Sequence, residues 1–416
     1  MSCATDLPTV LAPKRSPWSP NFRLYFGART TSLLGDAMLP VALSVGVLQA
    51  GYGAGGVGYA LGSWTAAVAL CMLVGGVLAD RFTARRMMVI ADVVRFVLQA
   101  GMAVLFAIGT PGLLTIVVLQ FASGVATAMF QPGVASMVPQ VADDVQRANG
   151  ILRIAESMAA VLGPAAAGVL VSVSGPSAVF AIYSATYAIS ALCLFALRLP
   201  GVQPSAGAAF LGQLVEGWQE FRARRWLSSV ITIFLLYGCF VVGVSLPIGA
   251  DLIVSSLNST ALGIGLAAFG AGGAIGGTVA IRIRPHRPLA VGSAGWALFA
   301  IYPLIPALHP NLTALMIGWG IAGSGLAFWS VIWATTVQTQ VPPELLNRVY
   351  AYDVAGSLVT MALGRSLAGP LASLTGERPL MVFAFGLGLA CAALLLIVPA
   401  TRKLHVVQPN PLQSGS

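Results

Sequence analysis

Runs of about twenty apolar residues recur about twelve times along this 416-residue chain, and they restrict its fold more than any other feature. Each run is long enough to cross the hydrocarbon of a bilayer as a helix. Only 8% of the residues are charged while 57% are hydrophobic. A soluble chain carries about a quarter charged residues, so a water-facing surface cannot be assembled here. The reading is an all-α polytopic membrane protein with spans near 23–50, 56–80, 87–108, 112–138, 148–173, 177–197, 226–252, 261–283, 289–308, 312–340, 345–373 and 380–399. The 198–225 break is polar, and Phe210, Leu214, Trp218 and Phe221 recur near helical spacing within it, as in an amphipathic surface helix.

The net charge of +9 does not point to nucleic acid, because the basic residues sit in short loops between spans. Arg81, Arg85, Arg86, Arg147, Arg282, Arg284, Arg287, Arg348 and Arg402 fall on one side, and Arg378 is the exception. Positive loops stay cytoplasmic, which places both termini inside. The expected location is a bacterial plasma (inner) membrane. Cys3, Cys71, Cys193, Cys239 and Cys391 are scattered without metal or disulfide spacing. No metal, no cofactor and no nucleic-acid partner is expected. The N-terminal 1–20 has no apolar core with a cleavage site, so no signal peptide is read there.

The two halves align at an offset of about 201 residues: Gly75-Gly76 falls on Gly276-Gly277, Arg81 on Arg282, Arg86 on Arg287, Arg147 on Arg348, Gly163 on Gly364 and Gly168 on Gly369. One shift aligning separate regions implies two pseudo-symmetric six-helix bundles, with a substrate path between them. The division expected is a tail at 1–20, bundles at 21–199 and 226–400, a cytoplasmic linker at 200–225, and a tail at 401–416, with a monomer as the unit.

Between spans two and three lies Gly75-Gly76-Val77-Leu78-Ala79-Asp80-Arg81-Phe82-Thr83-Ala84-Arg85-Arg86. It resembles the loop signature of the major facilitator superfamily. Leu162-Gly163-Pro164-Ala165-Ala166-Ala167-Gly168 in span five is similar to the Gly-Pro motif of that superfamily's antiporters, with Val169 in place of the second closing glycine. Gln120 stands where span four of those antiporters carries an arginine, so the proton-relay role assigned to that arginine has no matching side chain. Ser32 to Asp36, Asp92 with Arg95, Phe130-Gln131-Pro132 and Arg147 to Gly150 resemble the bacterial branch of macrolide-efflux and enterobactin-exporter proteins. The resemblance implies twelve helices, alternating access, and a cytoplasmic gate at Gly76, Asp80, Arg81, Arg85 and Arg86. Asp80 would contact Arg81 or Arg85 and the start of span eleven near 345–349.

Ionisable groups inside a bilayer are costly and mark function by default. Asp36 lies thirteen residues into span one, roughly 20 Å deep, with no cationic neighbour one turn away. Such an unpaired carboxylate suits proton coupling; the alternative is a solvated acid in an outer vestibule. Arg29, two turns before it, would reach it only through water or substrate. Asp92 and Arg95 are spaced to pair with each other, as a structural bridge pinning span three to span two. Arg153 and Glu156 repeat that spacing, and Glu156 is the second proton or substrate candidate. Asp353 and Arg365 are the main membrane charges of the second half and lie too far apart to pair locally. Asp251 reads as a solvated acid at the outer end of span seven. Phe328, Trp329 and Trp333 line a greasy substrate cavity, face lipid or serve as core.

No Gly-x-x-x-x-Gly-Lys-Ser/Thr loop occurs, which leaves an ion gradient as the energy source. The function expected is proton-coupled export of amphipathic small molecules (drug, antibiotic or siderophore-like), with multidrug resistance as its setting. A nutrient importer on the same fold is the alternative. A membrane sensor or an intramembrane enzyme are further ones; the sensor needs a cytoplasmic domain and the enzyme a catalytic cluster. The three histidines, His286, His309 and His405, lie at loops or the tail.

Overall fold

A computed structural model describes residues 18–81, 83–142, 145–199, 224–283, 285–308, 311–341, 343–402 and 404. Side chains of 73–81 and 343–352 are among those it leaves out, together with the 200–223 stretch read as a surface helix. The described residues form α1 (Pro20–Gln49), α2 (Gly53–Arg81), α3 (Ala84–Ile108) and α4 (Leu113–Val141). A continuous run, Val145–Ala196, holds α5 (145–174) and α6 (176–196). The second half comprises α7 (Arg225–Ser256), α8 (Ser259–Arg282), α9 (Pro288–Ala307), α10 (Leu312–Gln340), α11 (Pro343–Thr375) and α12 (Glu377–Ile397). Ten described stretches are long and apolar enough to cross a membrane, and one of them, Ala148–Ala196, contains both α5 and α6. With the 33-residue α11 this makes the twelve helices read from the sequence.

Local chemistry sets the helix ends. The Ser19 hydroxyl accepts from the Phe22 amide at 3.0 Å, and Pro20 occupies the first helical turn of α1. Asn258 and Asn311 cap α8 and α10 in the same way, each accepting an amide hydrogen at 2.8 Å. Between α5 and α6 one residue makes the whole turn: Gly175 stands at φ 76°, which side-chain-bearing residues rarely adopt, and Pro176 starts α6. Midway along α7 the helix widens into a π turn at Gly238–Gly243.

The repeat appears as equivalent packing. In the first half α5 crosses α1, where a methyl group at Gly163 would come within 3.1 Å of the Leu34 carbonyl oxygen. The matching Gly364 of α11 crosses α7, where a methyl group would lie 2.9 Å from Gly243 Cα. Gly168 carries α5 against α8 of the other half, 2.9 Å separating such a methyl from Gly263 Cα. Its counterpart Gly369 carries α11 against α2 at Gly55, with the Gly55 nitrogen 3.1 Å away. The same two glycines thus build one contact inside each half and one contact between halves.

These inter-half contacts lie toward the end opposite the basic loops. The Thr260 hydroxyl donates to the Gly168 carbonyl at 3.4 Å, and the Ala54 amide at the start of α2 donates to Asp251 Oδ2 at 3.0 Å. Arg365 of α11 donates to the Thr65 hydroxyl and to the Leu61 carbonyl of α2, the latter at 3.4 Å. Asp251 is therefore not simply solvated: it is half-buried and caps the N-terminus of a helix from the other half.

Candidate functional site

Three helices of the first half converge on Asp36. On α6, Tyr183, Tyr187 and Ser190 follow i, i+4, i+7, one stripe of the helix; on α3, Asp92, Arg95 and Gln99 follow i, i+3, i+7. Gly35 lets α6 approach α1, since a methyl group there would lie 2.6 Å from the Tyr183 ring. The stripe of α6 can then reach the residue next to it.

The Tyr187 hydroxyl donates to Asp36 Oδ1 at 2.5 Å, and the Tyr183 hydroxyl contacts the same oxygen at 3.1 Å. The two phenol oxygens are 2.6 Å apart. Arg95 sits 3.9 Å from Asp36 Oδ1 and pairs closely with Asp92, whose other oxygen accepts from the Ser190 hydroxyl at 2.6 Å. The Arg95 guanidinium lies over the Phe130 ring at 4.4 Å and over the Tyr187 ring at 4.2 Å. Two expectations change. Asp36 has a cationic neighbour, supplied by another helix, and two phenol contacts. The Asp92–Arg95 pair forms as expected, yet it ties α3 to α6 and α1, with no described bond to α2.

The cluster holds two carboxylates and one guanidinium. Arg95 and Asp92 are 1% and 0% exposed and neutralise each other, which a buried charge requires. Asp36 is the excess carboxylate, and 31% of its side chain remains accessible. It is held by hydroxyl groups and a shared guanidinium.

The other first-half candidates separate from this cluster. Arg29 lies 5.8 Å from the centroid of the Phe130 ring, which Arg95 also covers, and no ion pair joins it to Asp36 among the described residues. Arg153 and Glu156 pair with each other at 2.9 Å but are exposed, at 80% and 46%. Glu156 is one turn from Ala160, which packs on Gly270 of α8 in the other half. Gln120 is fully buried, and among the described residues neither of its amide atoms has a hydrogen-bond partner. Arg85 donates to the Leu194 carbonyl at 3.0 Å and the Phe195 carbonyl at 2.5 Å, the last turn of α6. That side chain is thereby committed to α6 as a helix-end anchor, and Arg86 is exposed. The surroundings of Gly76 and the side chains of Asp80, Arg81, Arg147 and 345–349 lie outside what is described.

The second half is built differently at the matching place. The offset of about 201 residues carries Asp36 onto Tyr237 and Arg95 onto Trp296. Those two rings stack at 4.2 Å, and the Tyr237 hydroxyl donates to the Trp296 carbonyl at 3.1 Å. An ionic cluster in one half is replaced by an aromatic stack in the other. Beside it, between α7, α10 and α11, opens a cavity of about 470 Å³ walled by Phe234, Trp329 and Trp333. Phe328 is not among its walls. Asp353 lines it and accepts from the Trp333 indole at 2.8 Å, while Arg365 lies elsewhere, bound to α2. As the spacing implied, these two do not pair.

Tyr183, Tyr187 and Ser190 were not singled out from the sequence. Their helical stripe of hydroxyl groups in an otherwise apolar span was the available signal.

The model of the Major Facilitator Superfamily matches residues 25–353. Over 402 residues the chain is 26% identical to the enterobactin exporter EntS of Salmonella paratyphi A, covering 94% of this chain and 95% of that one. It is 25% identical to the enterobactin exporter EntS of Escherichia coli O6:K15:H31 over 407 residues, 95% and 96% of the two chains. Among solved structures, the fold is similar to the nucleoside transporter NupG (TM-score 0.72, 13% identity, 91% of this chain and 99% of that one). It is also similar to a bacterial homologue of the human lysosomal transporter Spinster in an inward-facing, occupied conformation (TM-score 0.72, 16% identity, 94% and 98%). A match of this extent, on a twelve-helix fold with packing repeated between its halves, makes the chain a member of the Major Facilitator Superfamily.

Proposed function

We propose that this transporter is a proton-coupled exporter of amphipathic small molecules, working by alternating access, with Asp36 as its proton-binding carboxylate. The observation that carries the reading is the charge excess of the Asp36–Arg95–Asp92 cluster: one carboxylate more than the guanidinium can neutralise, and that carboxylate the accessible one. Protonation of Asp36 leaves a neutral cluster, which favours a change of packing around α1 and α6. Export is supported by the Gly163-Pro164 patch and by relatives whose names are enterobactin exporters.

The basic loops orient both termini to the cytoplasm. The contacts at Gly55–Gly369 and Gly168–Gly263 then close the outer side, and the gate motif around Asp80 operates at the inner one. The unit is a monomer in a bacterial inner membrane, taking a small-molecule cargo and protons from a lipid bilayer.

Purified protein in proteoliposomes, offered a panel of amphipathic compounds with and without a pH gradient, tests this. Export coupled to proton entry is expected, and it is lost in Asp36→Asn. Flux that is equal with and without the gradient contradicts the reading. Likeness to a nucleoside transporter keeps nutrient import as the rival, and cargo accumulation in the same direction as the protons would establish it.

A further inference from the structure

The cavity between α7, α10 and α11 is unrelated to the Asp36 cluster, and its chemistry is one-sided. Its walls are mainly aromatic and aliphatic, with Ser330, Gln338 and Ser357 as neutral polar members, and among the described residues the one ionisable side chain lining it is Asp353. The Trp333 indole N–H donates to Asp353 Oδ2, which fixes the carboxylate and leaves Oδ1 for another partner. Among the described residues no Lys, Arg or His forms an ion pair with Asp353. Arg365, on the same helix, is twelve residues away, roughly 18 Å at the helical rise, and is engaged with α2.

Two wall rings form a nearly parallel pair, and one of them, Trp333, holds the acid. Trp329 and Trp333 have centroids 5.6 Å apart at 14°, and Trp226 meets Trp333 edge-on at 5.9 Å. Ring faces attract cations, and a carboxylate in an apolar cavity is costly unless a positive charge joins it. Mostly apolar walls, a few neutral polar groups and one negative charge select a bulky organic cation and disfavour an anion of the same shape.

We propose that this cavity is the cargo-binding site and that the cargo class is an amphipathic organic cation, with Asp353 as its counter-charge and Trp329 and Trp333 as its ring platform. This deepens the export reading and rests on it. The two halves divide the labour: Asp36 in the first takes the proton, and Asp353 in the second takes the cargo. Proton and cargo therefore occupy different carboxylates.

The test is equilibrium binding to the full chain in lipid nanodiscs. The probes are radiolabelled tetraphenylphosphonium and tetraphenylborate, which share shape and apolar surface and differ in the sign of charge. Each is measured on the native protein, Asp353→Asn and Asp353→Glu, so that partition into lipid cancels in the comparison. Saturable tetraphenylphosphonium binding is expected for the native chain. In Asp353→Asn it should weaken about tenfold or more, as loss of a charge-assisted contact in an apolar site does. Asp353→Glu should retain it within about threefold, and tetraphenylborate should show no Asp353-dependent binding. Absence of saturable cation binding in the native chain overturns the proposal. So does equal binding by Asp353→Asn, or preference for the borate. The export reading fails separately: Asp353-dependent cation binding with no response of flux to a pH gradient removes the coupling and keeps this site. Gradient-driven export of neutral or anionic cargo, insensitive to Asp353→Asn, does the reverse.

Discussion

Tyr187 donates its phenolic hydrogen to Asp36 at 2.5 Å, joining two residues 151 positions apart in the chain. The contact fastens α6 to α1 at the accessible carboxylate of the cluster, and the Tyr183 hydroxyl adds a second contact at 3.1 Å. Removing the Tyr187 hydroxyl leaves the ring, which still covers Arg95 at 4.2 Å. Tyr187→Phe should fold normally and lose about tenfold in proton-driven flux, the scale of a hydrogen bond to a charged group. Flux assays in proteoliposomes alongside thermal unfolding check both halves of that statement.

Arg95 is the structural centre of the same cluster. Arg95→Ala strands the 0% exposed Asp92 with only Ser190 as a partner. A loss of stability of about 3–5 kcal/mol is expected, as for an uncompensated buried charge. The double variant with Asp92→Asn should recover a large part of it. Detergent-solubilised unfolding curves for the two variants measure the recovery.

Gly168 sets the distance between α5 and α8. Gly168→Val places side-chain atoms where Gly263 Cα lies 2.9 Å away, so the halves cannot close there as they do now. Pairs of spin labels on α5 and α8 near their Gly175 and Asn258 ends should report a longer mean separation in this variant. The same substitution at Gly101, whose added methyl would meet nothing within 4 Å, should leave the separation unchanged.

Asp251 joins α7 to the first turn of α2 through the Ala54 amide at 3.0 Å. Asp251→Ala removes a carboxylate from a helix N-terminus at the closed end. A shift toward the opened state by about 1 kcal/mol is expected. Spin labels at the exposed Ile108 and Leu374, at the ends of α3 and α11 on that side, should report a longer mean separation.

Much of this architecture was legible in the sequence, because hydropathy alone separates spans from loops and an offset shared by Gly163, Gly364, Gly168 and Gly369 exposes the repeat. Pairing within a helix was legible too: Asp92 with Arg95 and Arg153 with Glu156 follow from 3.6-residue periodicity. Contacts between helices were not, because periodicity says which residues share a face and leaves open which helix that face meets. Asp36 therefore read as unpaired, although Arg95, Tyr183 and Tyr187 converge on it from α3 and α6. Asp251 read as solvated for the same reason: its partner is a backbone amide of α2. The Asp353–Trp333 bond likewise needs α10 and α11 side by side.

Proton release on cargo binding addresses the central claim most directly. In lightly buffered solution, purified protein mixed with saturating cargo should release a proton to a pH indicator dye, and Asp36→Asn should bind the same cargo and release none. Undiminished release from Asp36→Asn would contradict the assignment of the proton to Asp36.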